Sequence, residues 1–133
     1  MKYMLDTNIC IHIIREKPLK AIESLKRPEL GEVCISAITV AELEYGVEKS
    51  LHRERNKLAL AGFLAPFEIL PFTDKSAVTY GQIRAELENK GQIIGPYDLL
   101  IGAHALSENL TLVTNNTKEF ARIPLLSIEN WVE

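Results

Sequence analysis

The chain has 133 residues, 47% of them hydrophobic, and a formal net charge of −3 at neutral pH. That length fits a single domain, residues 1–133, large enough to bury a core, and no low-complexity block, internal repeat or linker interrupts it. The charge speaks against a uniformly basic nucleic-acid binder, no apolar run approaches the roughly 20 residues of a membrane helix, and the N-terminus lacks a signal-peptide pattern, so the expected location is the cytoplasm.

The first element is the short apolar run Tyr3-Met4-Leu5, which ends on Asp6 and passes at once into a helix-like segment, Ile9 to Arg15. Such a run reads as a buried strand opening an α/β unit, and ligands of open parallel sheets gather where strands end and helices begin. Asp6, Thr7 and Asn8 are also good helix caps, so capping is an equally open reading of Asp6. Lys17-Pro18 marks a break, and a second helix is expected from Pro18 to Arg27. Val33-Cys34-Ile35 is the second strand. Cys10 and Cys34 have neither zinc spacing nor a disulfide framework and read as reduced core residues.

Ser36 caps a third helix reaching Lys49. On it, the neighbours of Glu42 three and four positions away are Ile38, Thr39, Tyr45 and Gly46, none charged. Glu42 is therefore either on a partly exposed stripe or in need of a cation. Residues 49–57 are the most basic stretch; Lys49, Arg53, Arg55 and Lys57 suit phosphate contacts or simply a solvated face. Helix resumes to Ala65, Phe67–Phe72 is a third strand interrupted by Pro71, and Asp74 caps a long helix that Gly91 terminates.

Gly95-Pro96-Tyr97-Asp98 then leads into Leu99–Leu106, apolar on all sides and hence central. Asp98 lies in the first turn, where the helix dipole favours it, yet it has Ile101 and Gly102 where a basic partner would sit. Its helix carries His104, which reads as a buried polar residue; His12, His52 and His104 have no ligand spacing. Leu110–Thr114 is a fourth strand, Asn115–Phe120 turns into a short helix, Leu125–Ile128 is a fifth strand, and Trp131 docks the C-terminus. Alternating strands and helices imply a mostly parallel sheet with helices on both faces and the Asp6 strand in its middle.

Asp6, Glu42 and Asp98 are each set in apolar sequence beside a helix without a local basic partner. Two carboxylates 4 Å apart repel by roughly 4 kcal/mol at an effective dielectric of 20, so a joint acidic cluster calls for a cation, and all-oxygen ligation selects Mg²⁺, with Mn²⁺ as alternative. A phosphoacceptor domain would want adjacent acids after strand one and a late lysine; a non-catalytic interaction module would use all three acids as caps.

Four stretches carry a family resemblance: Met4-Leu5-Asp6-Thr7-Asn8, Ser36 with Thr39 through Gly46, Gly95-Pro96-Tyr97-Asp98, and Val113 through Phe120. In order and spacing the chain resembles the PIN-domain family, above all its VapC-type toxins, the ribonuclease halves of bacterial toxin–antitoxin pairs. The resemblance implies a three-layer α/β fold with a five-stranded sheet of order 3-2-1-4-5. It also implies a metal-dependent endoribonuclease acting on structured RNA such as tRNA in the anticodon region, a VapB-type antitoxin partner and a homodimer. Carried over, Asp6, Glu42 and Asp98 match the metal-binding acids, and Asn8 and Thr114 the polar positions beside them. The chain departs at the fourth acid, where it has Asn115 and Asn116; Glu119 or Asn116 would complete the site.

Overall fold

The computed structural model of the chain describes residues 2–16 and 30–131; the helix expected over Pro18–Arg27 lies outside them. Five strands, β1 (Tyr3–Leu5), β2 (Val33–Ser36), β3 (Glu68–Leu70), β4 (Thr111–Val113) and β5 (Ile128–Glu129), form one sheet. Its order is β3-β2-β1-β4-β5, and every neighbouring pair is parallel. The helices are α1 (Thr7–Glu16), α2 (Ala37–Glu48), α3 (Arg53–Leu64), α4 (Asp74–Lys90), α5 (Pro96–Ser107) and the single-turn α6 (Thr117–Phe120), with a short 3₁₀ turn at Leu30–Glu32.

The pleat of the sheet divides the core. Met4 pairs with Cys34 on one side and Leu112 on the other, and all three point to the layer made by α4, α5 and Phe120. One residue further along, Leu5, Ile35 and Val113 are in register and point to the opposite layer, under α1, α2 and α3. Successive side chains of a strand face opposite ways, so the central strands are apolar on both faces, as a covered parallel sheet requires. Three layers result, with β1 at the centre.

The helix ends obey local chemistry, with two shifts from the sequence reading. Ser36 caps α2 by accepting from the Ile38 N–H at 3.0 Å, and Gly91 ends α4 at φ 66°, the left-handed value that glycine adopts without strain. The α4 cap is Thr73, however, and Asp74 is the first helical residue; an extended Thr73, φ −102° and ψ 179°, brings the chain in. The fifth strand starts later than Leu125, because Leu125 itself takes φ 68° and breaks the extended run before Ile128. Trp131 is buried and meets Tyr3 edge to face at 5.2 Å, which ties the C-terminal segment to β1. No described helix is long and apolar enough to cross a membrane.

His104 is buried, with Nδ1 2.8 Å from Ser36 Oγ and its ring edge-on to Phe72 at 5.4 Å. Burial pushes its pKa down, so the ring is neutral and serves the packing between α5 and β2. Cys10 and Cys34 are buried free thiols, and burial raises the Cys34 pKa to about 12.

Candidate active site

The parallel sheet sends the carboxyl ends of β1 and β4 to the same edge, so Asp6 and Thr114, each one residue past its strand, stand side by side. Backbone bonds set this register: Asp6 N–H donates to the Val113 carbonyl at 3.0 Å, and Thr114 N–H to the Glu129 carbonyl at 2.9 Å. Asp6 is only 1% exposed. Its Oδ1 accepts from the Ile9 N–H at 2.8 Å, so the residue does cap α1. Its Oδ2 accepts the Thr114 hydroxyl at 2.6 Å. The capping and site readings are thus satisfied by different oxygens of one carboxylate.

α2 and α5 bring the other acids. The Thr7 hydroxyl donates to Glu42 Oε1 at 2.7 Å and lies 3.1 Å from Thr39 Oγ1, which fixes Glu42 against the first turn of α1. Asp98, at the third position of α5 after Gly95 and Pro96, is half-buried. From α6, Glu119 Oε2 accepts the Asn116 side-chain amide at 3.1 Å, while the Asn116 N–H donates to Thr114 Oγ1 at 2.9 Å.

The four carboxylates feel one another. The Asp6 pKa is raised to about 6, chiefly by burial, with repulsion from Asp98 and Glu42 adding to it and the bonds from Thr114 and Ile9 opposing it. Asp98 is also raised, first by burial and then by Glu119 and Glu42. None of the four has an ion-pair partner among the described residues. A buried carboxylate with no counter-charge is expensive, and here the buried Asp6 is set among three half-buried acids.

Tested against a divalent cation, the donor set fits in kind: carboxylates, an amide and hydroxyls are hard oxygen donors, with no thiol or imidazole among them. Among the described residues no three acidic, His or Cys side chains already converge as a metal cage. Three of the carboxylates are engaged by neighbouring side chains: Thr114 bonds Asp6, Thr7 bonds Glu42 and Asn116 bonds Glu119.

The sequence-derived candidates fall into two groups. Asp6, Glu42, Asp98, Thr114, Asn116 and Glu119 are brought together at the sheet edge, and Asn8 is exposed beside them on a groove of about 620 Å³ between α1, α2 and α3. The basic residues separate: Lys49 lines this groove, whereas Arg53 and Lys57 reach Glu48 at 3.6 and 4.0 Å on the exposed surface, and Arg55 is exposed on the same helix. Thr7 and Thr39 are the site residues missed in the sequence. Thr7 was legible only as a cap, and Thr39 only as a residue three positions before Glu42.

The Thr114 hydroxyl both donates to Asp6 and accepts from Asn116, so it joins β4, β1 and α6 in one bonded chain. Thr114→Val keeps the shape and removes both bonds. It is expected to cost about 1–3 kcal/mol and to raise the Asp6 pKa further; urea unfolding and carboxyl titration by NMR check the two effects.

The family model described as PIN domain matches residues 3–126. The ribonuclease VapC2 of Rickettsia felis is 51% identical over 132 residues, covering 98% of each chain. The tRNA(fMet)-specific endonuclease VapC of Salmonella typhimurium is 48% identical over 131 residues, again covering 98% of each. Among solved structures, DNA-bound VapBC from Salmonella typhimurium superposes with a TM-score of 0.95 at 48% identity, covering 98% of each chain. VapBC2 from Rickettsia felis bound to a promoter DNA fragment gives 0.92 at 49% identity, covering 98% of this chain and 99% of that one. The chain belongs to the PIN-domain family, and within it to the VapC ribonucleases.

Proposed function

We propose that the chain is a divalent-metal-dependent endoribonuclease, the toxin of a type II toxin–antitoxin pair. The observation that carries the reading is the set of four carboxylates, Asp6, Glu42, Asp98 and Glu119, gathered at the sheet edge without an ion-pair partner among the described residues, with Asp6 and Asp98 each repelled by its acidic neighbours. Asp6, Glu42 and Asp98 are the residues that would hold Mg²⁺ or Mn²⁺, and Glu119 or the Asn116 amide oxygen would complete the set. A cation held there would supply charge stabilisation on the phosphodiester and activation of water at neutral pH.

The chain's own residues do the positioning. Thr114 bonds Asp6, Thr7 bonds Glu42 and Asn116 bonds Glu119, so three of the four carboxylates are oriented by a side-chain hydrogen bond. Asn8 offers a further polar group beside the RNA path. No side chain acts as a nucleophile: water attacks phosphorus, one P–O bond forms, and the P–O bond to the departing ribose breaks.

The relatives' names point to tRNA as substrate, and the VapBC assemblies point to a VapB-type antitoxin as partner. Activity as a homodimer in the cytoplasm belongs to the same reading. A phosphoacceptor role is disfavoured because Asp6 is 1% exposed and both of its oxygens are engaged.

The test is incubation of bulk tRNA with the purified chain in Mn²⁺ or Mg²⁺, beside a chelator control. Discrete fragments lost on chelation are expected, and mapping their ends names the cut. Cleavage indifferent to chelator would overturn the metal reading.

A further inference from the structure

The groove between α1, α2 and α3 meets the carboxylate cluster at one end, where Thr7, Glu42 and Tyr97 form its wall. Tyr97 is 55% exposed and has no hydrogen-bond or ring partner among the described residues. Its backbone place is set by the start of the helix. It is the second residue of α5, between Pro96, whose φ is fixed by its ring, and Asp98, whose carboxylate belongs to the cluster.

A cation stands on the same groove in an equally defined place. Lys49 Nζ lies 5.0 Å from the centroid of the Tyr45 ring, a contact that holds the ammonium on the groove rim. Arg15 is a second cation on this groove. A bare aromatic ring adjoining the acidic centre in sequence and an ammonium on the same groove match two features of an unpaired nucleotide, the π-face of its base and the charge of its phosphate. Single-stranded RNA is recognised by such stacking together with backbone charge. A paired base, already stacked within a helix, would leave Tyr97 bare.

Resting on the nuclease reading, we propose that Tyr97 stacks on an unpaired base beside the bond that is cut and that Lys49, seated on Tyr45, takes a neighbouring phosphate. Tyr97 sets which RNA is held; Asp6, Glu42 and Asp98 remain with the chemistry.

The experiment is steady-state cleavage of bulk tRNA in Mg²⁺ by the full chain and by Tyr97→Ala, Tyr97→Leu and Tyr97→Phe, with thermal melts of each. Because Tyr97 is exposed, all three should melt with the parent. Stacking of one base implies that Tyr97→Ala raises KM on the order of 10-fold or more, with kcat changed by less than about 2-fold. Tyr97→Phe, which keeps the ring, should restore KM, while Tyr97→Leu should not. Lys49→Gln should flatten the dependence of log KM on log salt by about 0.7, the contribution of one single-strand phosphate contact.

A parental KM in Tyr97→Ala, or rescue by Leu equal to that by Phe, would overturn the subsite and leave the groove end to a protein partner. Failure of the parent chain itself to cleave would overturn the nuclease reading and the subsite with it. The parent's own activity therefore distinguishes the two failures.

Discussion

Asp98→Asn is expected to abolish RNA cleavage, by about three orders of magnitude or more given the several kcal/mol that a metal ion contributes to such reactions, while leaving the fold as stable as the parent or more so. The reason is that Asp98 is half-buried beside Glu119 and Glu42, which together with burial push its pKa up. The amide is nearly isosteric and removes the repulsion, but it is a poorer ligand for a hard cation. A purely structural Asp98 predicts the opposite pair of results. A first-turn carboxylate is favoured by the helix dipole by ~0.3–1 kcal/mol, so its loss would weaken the fold slightly and leave any activity intact. Initial rates in Mn²⁺ and thermal melts in chelator, on the same preparations, separate the two.

The second large effect is on pH dependence and centres on Asp6. Its folded pKa of about 6 lies above the ordinary carboxylate value of 3.8, so the folded chain takes up this proton more readily than the unfolded one. Protonation at Asp6 therefore stabilises the metal-free fold. The contribution is fully present below pH 3.8 and is lost as pH rises through 6, a total change of about 3 kcal/mol. Asp6→Asn should remove that dependence: near pH 7 without metal it should be the more stable protein, and near pH 4 the difference should vanish. The amide can still accept from the Ile9 N–H through its oxygen, and the Thr114 hydroxyl can turn to accept from its nitrogen. Urea unfolding of both proteins in chelator at pH 4, 5 and 7 checks this. Cation binding requires the carboxylate and competes with its proton, so the affinity for Mn²⁺ should weaken as pH falls, and activity at sub-saturating Mn²⁺ should decline with it.

Much of this site was legible in the sequence, and for a physical reason. Asp6, Glu42 and Asp98 stood out because each lacked a basic residue at helical spacing, and unpaired acids in apolar sequence are rare enough to mean something. The central place of β1 followed from its apolar run and its short passage into α1. The hydroxyl partners were hidden because Thr7–Glu42 and Thr114–Asp6 are contacts across 35 and 108 residues, which no local pattern records. Leu125 was read as strand because nothing in a leucine signals a positive φ. The groove is lined by residues from separate stretches, so only the fold places Tyr97 of α5 and Lys49 on one groove. The Tyr45–Lys49 contact itself was available in principle, since the two are one helical turn apart.

The central claim is that the acidic cluster exists to hold a divalent cation. Thermal unfolding at pH 7 in chelator, repeated with Mn²⁺, tests it without depending on any RNA. At 100-fold excess over the dissociation constant, one site adds roughly 2.7 kcal/mol, which raises the melting temperature by several degrees in a domain of this size. That rise is expected in the parent chain, and its loss in Asp6→Asn and Asp98→Asn. A parent that melts at the same temperature with and without Mn²⁺, or variants that respond as the parent does, would contradict it.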